Sequence, residues 1–180
     1  MNALLIIDMQ NDFASPGGAL PSEGAREIVP VVLEAARRAR EAGIAVIHVI
    51  QEHRADGTDF GRELDRSKPH CIEGTWGARI IDEIPVEPGD TVLVKKRFSG
   101  FFATELDLLL RDRGIDRLIL TGTATDGCVR ATAVDAHQLG YYFNVVRGAV
   151  AGAFAGSHQA ALDYLVRLQK DVLMDVEDIG

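Results

Sequence analysis

The chain has 180 residues, 47% of them apolar, so a disordered chain is excluded and one domain (1–180) with a sizeable core is expected. Its formal charge is −8, from 19 basic and 27 acidic residues with no basic run, which excludes nucleic acid as the expected partner. No apolar run is long enough to cross a bilayer and no leader-type segment opens the chain, so no membrane association is expected. The two cysteines make no C-x-x-C pair, which fits a reducing cytoplasm and argues against a disulfide framework.

Short β-branched runs alternate with helical patterns. "NALLIID" (2–8) predicts a buried first strand, followed by the turn-rich "SPGGALPSEG". Ile28, Val32, Ala35, Ala36 and Ala39 keep helical spacing up to Gly43, with Pro30 in the first turn. "IAVIHVI" (44–50) is the second strand. Residues 51–90 form a long irregular connection, with a short helix expected near 78–83, and connections of that length usually carry function. "DTVLVKK" (90–96) is the third strand, and 103–113 the helix that follows. "RLILTG" (117–122) is the fourth strand, 126–139 the next helix, with Gly140 as its C-cap. "YYFNVV" (141–146), a helix at 157–169 and "VLMD" (172–175) complete the chain. This alternation predicts an α/β fold: a doubly wound parallel sheet of about six strands in a three-layer αβα sandwich.

In such sheets ligands bind outside the carboxyl ends of the strands. Asp8 falls at the end of the first strand, Lys95 at the end of the third and Cys128 just past the fourth, while the fifth offers Arg147. Each has an ordinary structural reading: Asp8 as a turn cap, Lys95 as a solvated strand end, Cys128 as packing. At one sheet edge they also make coherent chemistry. A helix N-terminus and a nearby cation lower a thiol's pKa, and Asp8 would take the proton and pass it to a leaving amine. Lys95 would hold Asp8 and the thiolate, and backbone N–H groups around Ala124 and Cys128 would receive the oxyanion. If the third strand does not adjoin the first, the chain after Val94 must bend to bring Lys95 in.

"LLIIDMQNDF", "VKKRFSGFFATELDLLL" and "TGTATDGCVRATAVDAHQLGY" occur in this order, and together they resemble the isochorismatase-like cysteine hydrolases. That family includes nicotinamidases, N-carbamoylsarcosine amidohydrolase, and biuret and ureidoacrylate hydrolases. The resemblance implies a Rossmann-like fold and a homo-oligomer, dimer or tetramer. It places a catalytic triad on Asp8, Lys95 and Cys128, choosing Lys95 over Lys96 by its distance from Ser99. It also implies a cis peptide at Thr123–Ala124, which would aim the Ala124 and Cys128 N–H groups into an oxyanion hole. Isochorismatases themselves act on a vinyl ether without a cysteine nucleophile, so Cys128 favours a small amide or ureido substrate.

The resemblance also bears on a metal. Nicotinamidases carry a D-x-H…H motif after the second strand, where this chain reads "QEHRADGTDFG". His53 matches the first histidine, but Gln51 replaces the aspartate and no second histidine follows nearby, so no metal or other cofactor is expected. A metal-assisted nicotinamidase is the alternative, and a non-catalytic binding member of the fold is the alternative of another class. Phe13, His53, Arg54, Trp76, Phe98 and Phe102 are expected to line the substrate pocket, Arg54 as a carboxylate partner and Trp76 as a lid. Phe98 and Phe102 have core packing as an equal reading, and Arg54 a surface position. Cys71, away from any strand–helix junction, reads as structural. His137 and His158 read as surface or packing residues.

Overall fold

Ala3–Ile7 is apolar at every position, so it has no side to offer water and forms a strand covered on both faces. The computed structural model describes Met1–Gly180. Its elements are β1 (Asn2–Ile7), α1 (Asn11–Ala14), α2 (Val29–Glu41), β2 (Ala45–Gln51), β3 (Thr91–Lys95), α3 (Leu106–Asp112), β4 (Arg117–Thr123), α4 (Arg130–Gln138), β5 (Tyr142–Ala151), α5 (Ala155–Leu168) and β6 (Leu173–Met174). All six strands are parallel, in the order β3-β2-β1-β4-β5-β6. The chain therefore winds outward from β1 one way and returns to wind outward from β4 the other way.

Alternation along β1 builds the two cores. Ala3, Leu5 and Ile7 point into one cluster with Leu106 and Leu110 of α3, Val129, Ala133 and Ala136 at α4, and Leu165 of α5. Leu4 and Ile6 point into the other, against Val29, Val32, Ala35, Ala36 and Ala39 of α2. This is the expected three-layer sandwich. No helix is long and apolar enough to cross a membrane.

Three elements depart from the sequence reading. The expected helix at 78–83 is absent. Gln10 bridges Ile80, Asn11 N–H donates to Arg79 O (2.9 Å) and Ile81 N–H to Met9 O (3.0 Å), so the segment pairs with the chain beyond β1 instead of coiling. The strand β5 runs on to Ala151, with a register shift against β4 between Leu120 and Gly122. Arg147 therefore sits inside the strand, paired with Asp175 at 3.1 Å, and not at its end. The expected helix over 126–139 is divided: a π-type turn at Thr125–Val129, non-helical at Gly127, precedes α4.

Candidate active site

The winding reverses between β1 and β4, and a crevice opens there at their carboxyl ends. Asp8 is the first residue past β1. Its N–H donates to Val49 O of β2 (2.8 Å) and its carbonyl accepts from Thr123 Oγ1 of β4 (3.2 Å), so it is stitched to both neighbouring strands. Its φ of +51° is a conformation that residues other than glycine rarely adopt, and the stitching is what holds it. On β4, Gly122 has φ +105° and packs so closely that a Cβ there would land on the Ile7 carbonyl. That closeness keeps the two strand ends side by side.

Lys95 ends β3, an edge strand separated from β1 by β2. No bend of the chain is needed: its fully buried side chain crosses over β2 and places Nζ 2.9 Å from Asp8 Oδ2 and 3.4 Å from Cys128 Sγ. Lys96 points elsewhere, with Nζ 3.2 Å from Asp59 Oδ2. Cys128 lies in the π-type turn after the Thr123–Ala124 peptide, which is cis. Thr132 ties this turn to the loop after β3, donating from Oγ1 to Cys128 O (2.7 Å) and accepting from Gly100 N–H (2.9 Å). The structure thus brings Asp8, Lys95 and Cys128 together.

Burial dominates the electrostatics of this trio. It pushes the Asp8 carboxyl above its ordinary range, with the Lys95 charge opposing. The ion pair is close, yet neither Asp8 oxygen receives a well-directed hydrogen bond, so the carboxylate is only partly compensated. Burial pulls Lys95 down, but Asp8 and Cys128 outweigh it and hold the ammonium above its usual value. Burial, then Asp8, push the Cys128 thiol well above its ordinary value, with Lys95 opposing. The expectation of a lowered thiol pKa is therefore reversed: the nearby cation is already paired with a carboxylate. Burial thus favours the proton-bearing carboxyl and thiol, and the contact with Lys95 favours the carboxylate.

A cavity of about 840 Å³ opens over Asp8, Gln51 and Cys128. Phe13, Phe98, Ala124 and Cys128 line it, as expected from sequence, and Phe154 joins them. Four cations at its mouth, Arg62, Arg66, Lys68 and Arg97, were missed, because an irregular connection gives no periodicity from which to place them. Arg54 is exposed outside the cavity, its N–H held by Asp59, and so is not the carboxylate partner at that wall. Trp76 and Phe102 also lie outside it, exposed, so neither acts as a lid or a core residue. His53 is fully buried behind Gln51 and does not line the cavity.

The expectation that no second histidine comes near is corrected. The chain after Phe60 returns through the turn Gly61–Asp65 and brings Glu63 and His70 to His53, with one ligand-type atom from each within 4.8 Å of the others. "HCIEGTWGARI" begins with His70, so the signal was present; nothing in the sequence marked Glu63. Burial pulls His53 below its ordinary pKa. It pulls His70 the same way, but Glu63 and the Lys68 carbonyl outweigh it and hold that ring above. Cys71 is fully buried, with φ +47° and its N–H donating to Asp12 Oδ2 (2.6 Å). Its thiol is pushed up by burial. His158 bonds Thr125 Oγ1 through Nδ1 (2.9 Å) behind the Cys128 turn, and His137 lies in the last turn of α4.

The parallel αβα sandwich, with a thiol, a carboxylate and an ammonium grouped at its switch point, is an α/β fold with a candidate nucleophile site. The Isochorismatase domain model matches residues 2–178, and the chain belongs to the isochorismatase family, a family of hydrolases. It is 39% identical over 167 residues to a probable inactive nicotinamidase of Arabidopsis thaliana, covering 88% of this chain and 84% of that one. An isochorismatase family protein from Desulfovibrio vulgaris superposes with a TM-score of 0.90 at 40% identity, covering 98% of this chain and 94% of the other. A pyrazinamidase/nicotinamidase from Streptococcus mutans also superposes at 0.90, with 32% identity over 97% of this chain and 100% of that one.

Proposed function

We propose that this protein is a cysteine amidohydrolase that cleaves the C–N bond of a small amide or ureido compound. The observation that carries the reading is one ammonium, Lys95 Nζ, 2.9 Å from a buried carboxylate and 3.4 Å from a thiol on the wall of a cavity. Asp8 takes the thiol proton as Sγ attacks the carbonyl carbon, and its raised basicity suits it to accept. The Ala124 and Cys128 N–H groups hold the oxyanion of the tetrahedral intermediate. Asp8 then protonates the departing nitrogen, leaving an acyl thioester. A water that gives its proton to Asp8 hydrolyses the thioester, and the proton returns to Sγ. Lys95 stays protonated throughout, offsetting first the carboxylate and then the thiolate.

Arg62, Arg66, Lys68 and Arg97 outnumber Glu63 and Asp126 on the outer cavity lining, which favours an amide that also carries a carboxylate, in a chain whose overall charge is −8. Two free, unpaired thiols support work in a reducing compartment such as the cytoplasm. Exposed Phe98, Phe102 and Phe154 support a homo-oligomer, a dimer or tetramer, which sedimentation would test.

The test is an ammonia-release screen over nicotinamide, biuret, ureidoacrylate, N-carbamoyl amino acids and maleamate. Wild type, Cys128→Ala and Cys71→Ser run side by side. Turnover that vanishes in Cys128→Ala and survives in Cys71→Ser is expected; full activity in Cys128→Ala refutes the mechanism. A second reading, metal-assisted nicotinamidase, draws on the His53–Glu63–His70 cluster and the likeness to the Streptococcus mutans enzyme, and predicts nicotinamide turnover abolished by chelator. The name of the Arabidopsis relative favours a third, non-catalytic reading. It predicts no turnover on any amide and no iodoacetamide-sensitive thiol.

A further inference from the structure

His53, Glu63 and His70 are by type a suitable donor set for a divalent cation, two imidazoles and a carboxylate. The centre they surround is filled. Gln51 Nε2 lies 2.9 Å from His53 Nε2, 3.1 Å from His70 Nε2 and 3.1 Å from Glu63 Oε1. These are hydrogen-bond distances; a zinc ion draws such atoms to about 2.0–2.2 Å. His53 Nδ1 faces Asp59 Oδ1 (3.2 Å) and His70 Nδ1 faces the Lys68 carbonyl (2.7 Å), which orients both rings with Nε2 toward Gln51; His70 Nε2 also lies 3.4 Å from Glu63 Oε1.

The amide cannot turn round. Its oxygen accepts from Lys95 Nζ at 3.2 Å, and rotation would set an NH2 against an ammonium. The backbone of Gln51 is clamped as well: its N–H donates to Gln10 Oε1 (2.8 Å) and its carbonyl accepts from Gln10 Nε2 (2.7 Å). An amide NH2 pinned on both sides is a donor and cannot ligate a metal. With Gln51 in place, the cluster does not fit the ion that its donor types would otherwise take.

We propose that Gln51 is a positioning residue that stands where a divalent cation would sit, its NH2 set among His53, Glu63 and His70 while its oxygen holds Lys95. One neutral amide thus joins the triad to the cluster, and the site works without a resident metal. The inference rests on cluster geometry and is independent of which amide, if any, is turned over.

Cobalt(II) is the probe, titrated into chelator-dialysed full-length wild type, Gln51→Asp and Gln51→Ala, followed by visible absorbance and calorimetry. Gln51→Asp withdraws the side chain by one methylene and exchanges a donor for an acceptor, and Gln51→Ala empties the centre. Wild type is expected to show only weak, non-saturating binding. Gln51→Asp should bind one equivalent at least about a hundredfold more tightly, with an inner-sphere spectrum lost on adding His70→Ala. Should Gln51→Asp fail to fold, Gln51→Ala and wild type decide, with tighter binding expected in Gln51→Ala. Stoichiometric binding by wild type overturns the proposal, and so does the absence of any gain in the variants that fold.

Discussion

The buried pair Asp8–Lys95 allows a quantitative test. At 2.9 Å and an effective dielectric constant near 20, their attraction is about 6 kcal/mol, and the desolvation of two ions offsets much of it. Lys95→Met removes the cation and leaves a carboxylate in a dry site. The damage has a ceiling, because Asp8 can escape by taking a proton. From an ordinary carboxyl value of 3.8, protonation at pH 7 costs 1.36 × 3.2, about 4.4 kcal/mol, and at pH 5 about 1.6 kcal/mol. A folded-state carboxyl pKa raised above the unfolded one makes stability fall as pH rises between the two values. Lys95→Met is therefore expected to lose about 3–4 kcal/mol relative to wild type at pH 7 and about half that or less at pH 5.

The double variant Asp8→Asn/Lys95→Met removes both charges. Asparagine tolerates the φ of +51° at this position, so the double variant should return to within about 1–2 kcal/mol of wild type. Urea unfolding followed by circular dichroism at both pH values measures wild type, Lys95→Met and the double variant, and both Lys95→Met proteins should release no ammonia. A single-variant loss below about 1 kcal/mol, equal at both pH values, would refute the reasoning, since Asp8 would then be solvated.

Three further outcomes follow from the geometry. Asp90 accepts from Arg40 (2.6 Å), His48 (3.1 Å) and Glu87 N–H (2.9 Å); burial raises its pKa, but these partners outweigh it and hold the group low. Its stabilisation is full above about pH 4 and fades as pH falls through the lowered value, so Asp90→Asn should cost about 1–3 kcal/mol at pH 7 and flatten the acid limb of the stability curve. Gly122→Ala, with φ +105° and a Cβ set against the Ile7 carbonyl, should cost more than about 3 kcal/mol or yield insoluble protein, read by thermal denaturation. Arg66→Ala with Arg97→Ala should raise KM about 10- to 100-fold for amides bearing a carboxylate while leaving neutral amides unchanged in steady-state assays.

The fold was legible where side chains repeat. The apolar run at Ala3–Ile7 reads as a two-faced buried strand, and the charge that ends it, Asp8, reads as a turn cap or as a group with a buried partner. Cys128 was findable because a glycine-rich joint between strand and helix is a recognisable local object, and Lys95 because it closes a strand. The irregular connection between β2 and β3 was opaque. Its path is fixed by single contacts, such as Asp12 Oδ2 accepting from Cys71 N–H and Gln10 Nε2 donating to Ala78 O (2.7 Å), and neither leaves a periodic trace. The sequence therefore points to Arg54 and gives no sign of Arg62, Arg66 and Arg97, and it sets Trp76 over a cavity it does not touch. Ala78, Ile81 and Ile84 have helical spacing, but Gln10, Asn11 and Met9 claim the backbone of Ala78, Arg79 and Ile81, and the tertiary pairing overrides the pattern. In the sequence Gln51 is a missing aspartate, and only its contacts give its amide a use of its own.

The position of β3 at the border of the sheet has a dynamic consequence. Asp8 and Cys128 hang from β1 and β4, each flanked by a strand on both sides, whereas Lys95 arrives on a strand held by β2 alone, with Val92 and Val94 facing solvent. Border strands open locally at a lower free energy than interior ones. Each opening withdraws the ammonium and leaves thiol and carboxylate facing each other without it. The fraction of molecules competent at any instant is then set by the local closing equilibrium of five residues, not by global stability. Amide hydrogen exchange at Val92–Lys95 reads that equilibrium directly, and on warming, activity should decline before the helical signal does.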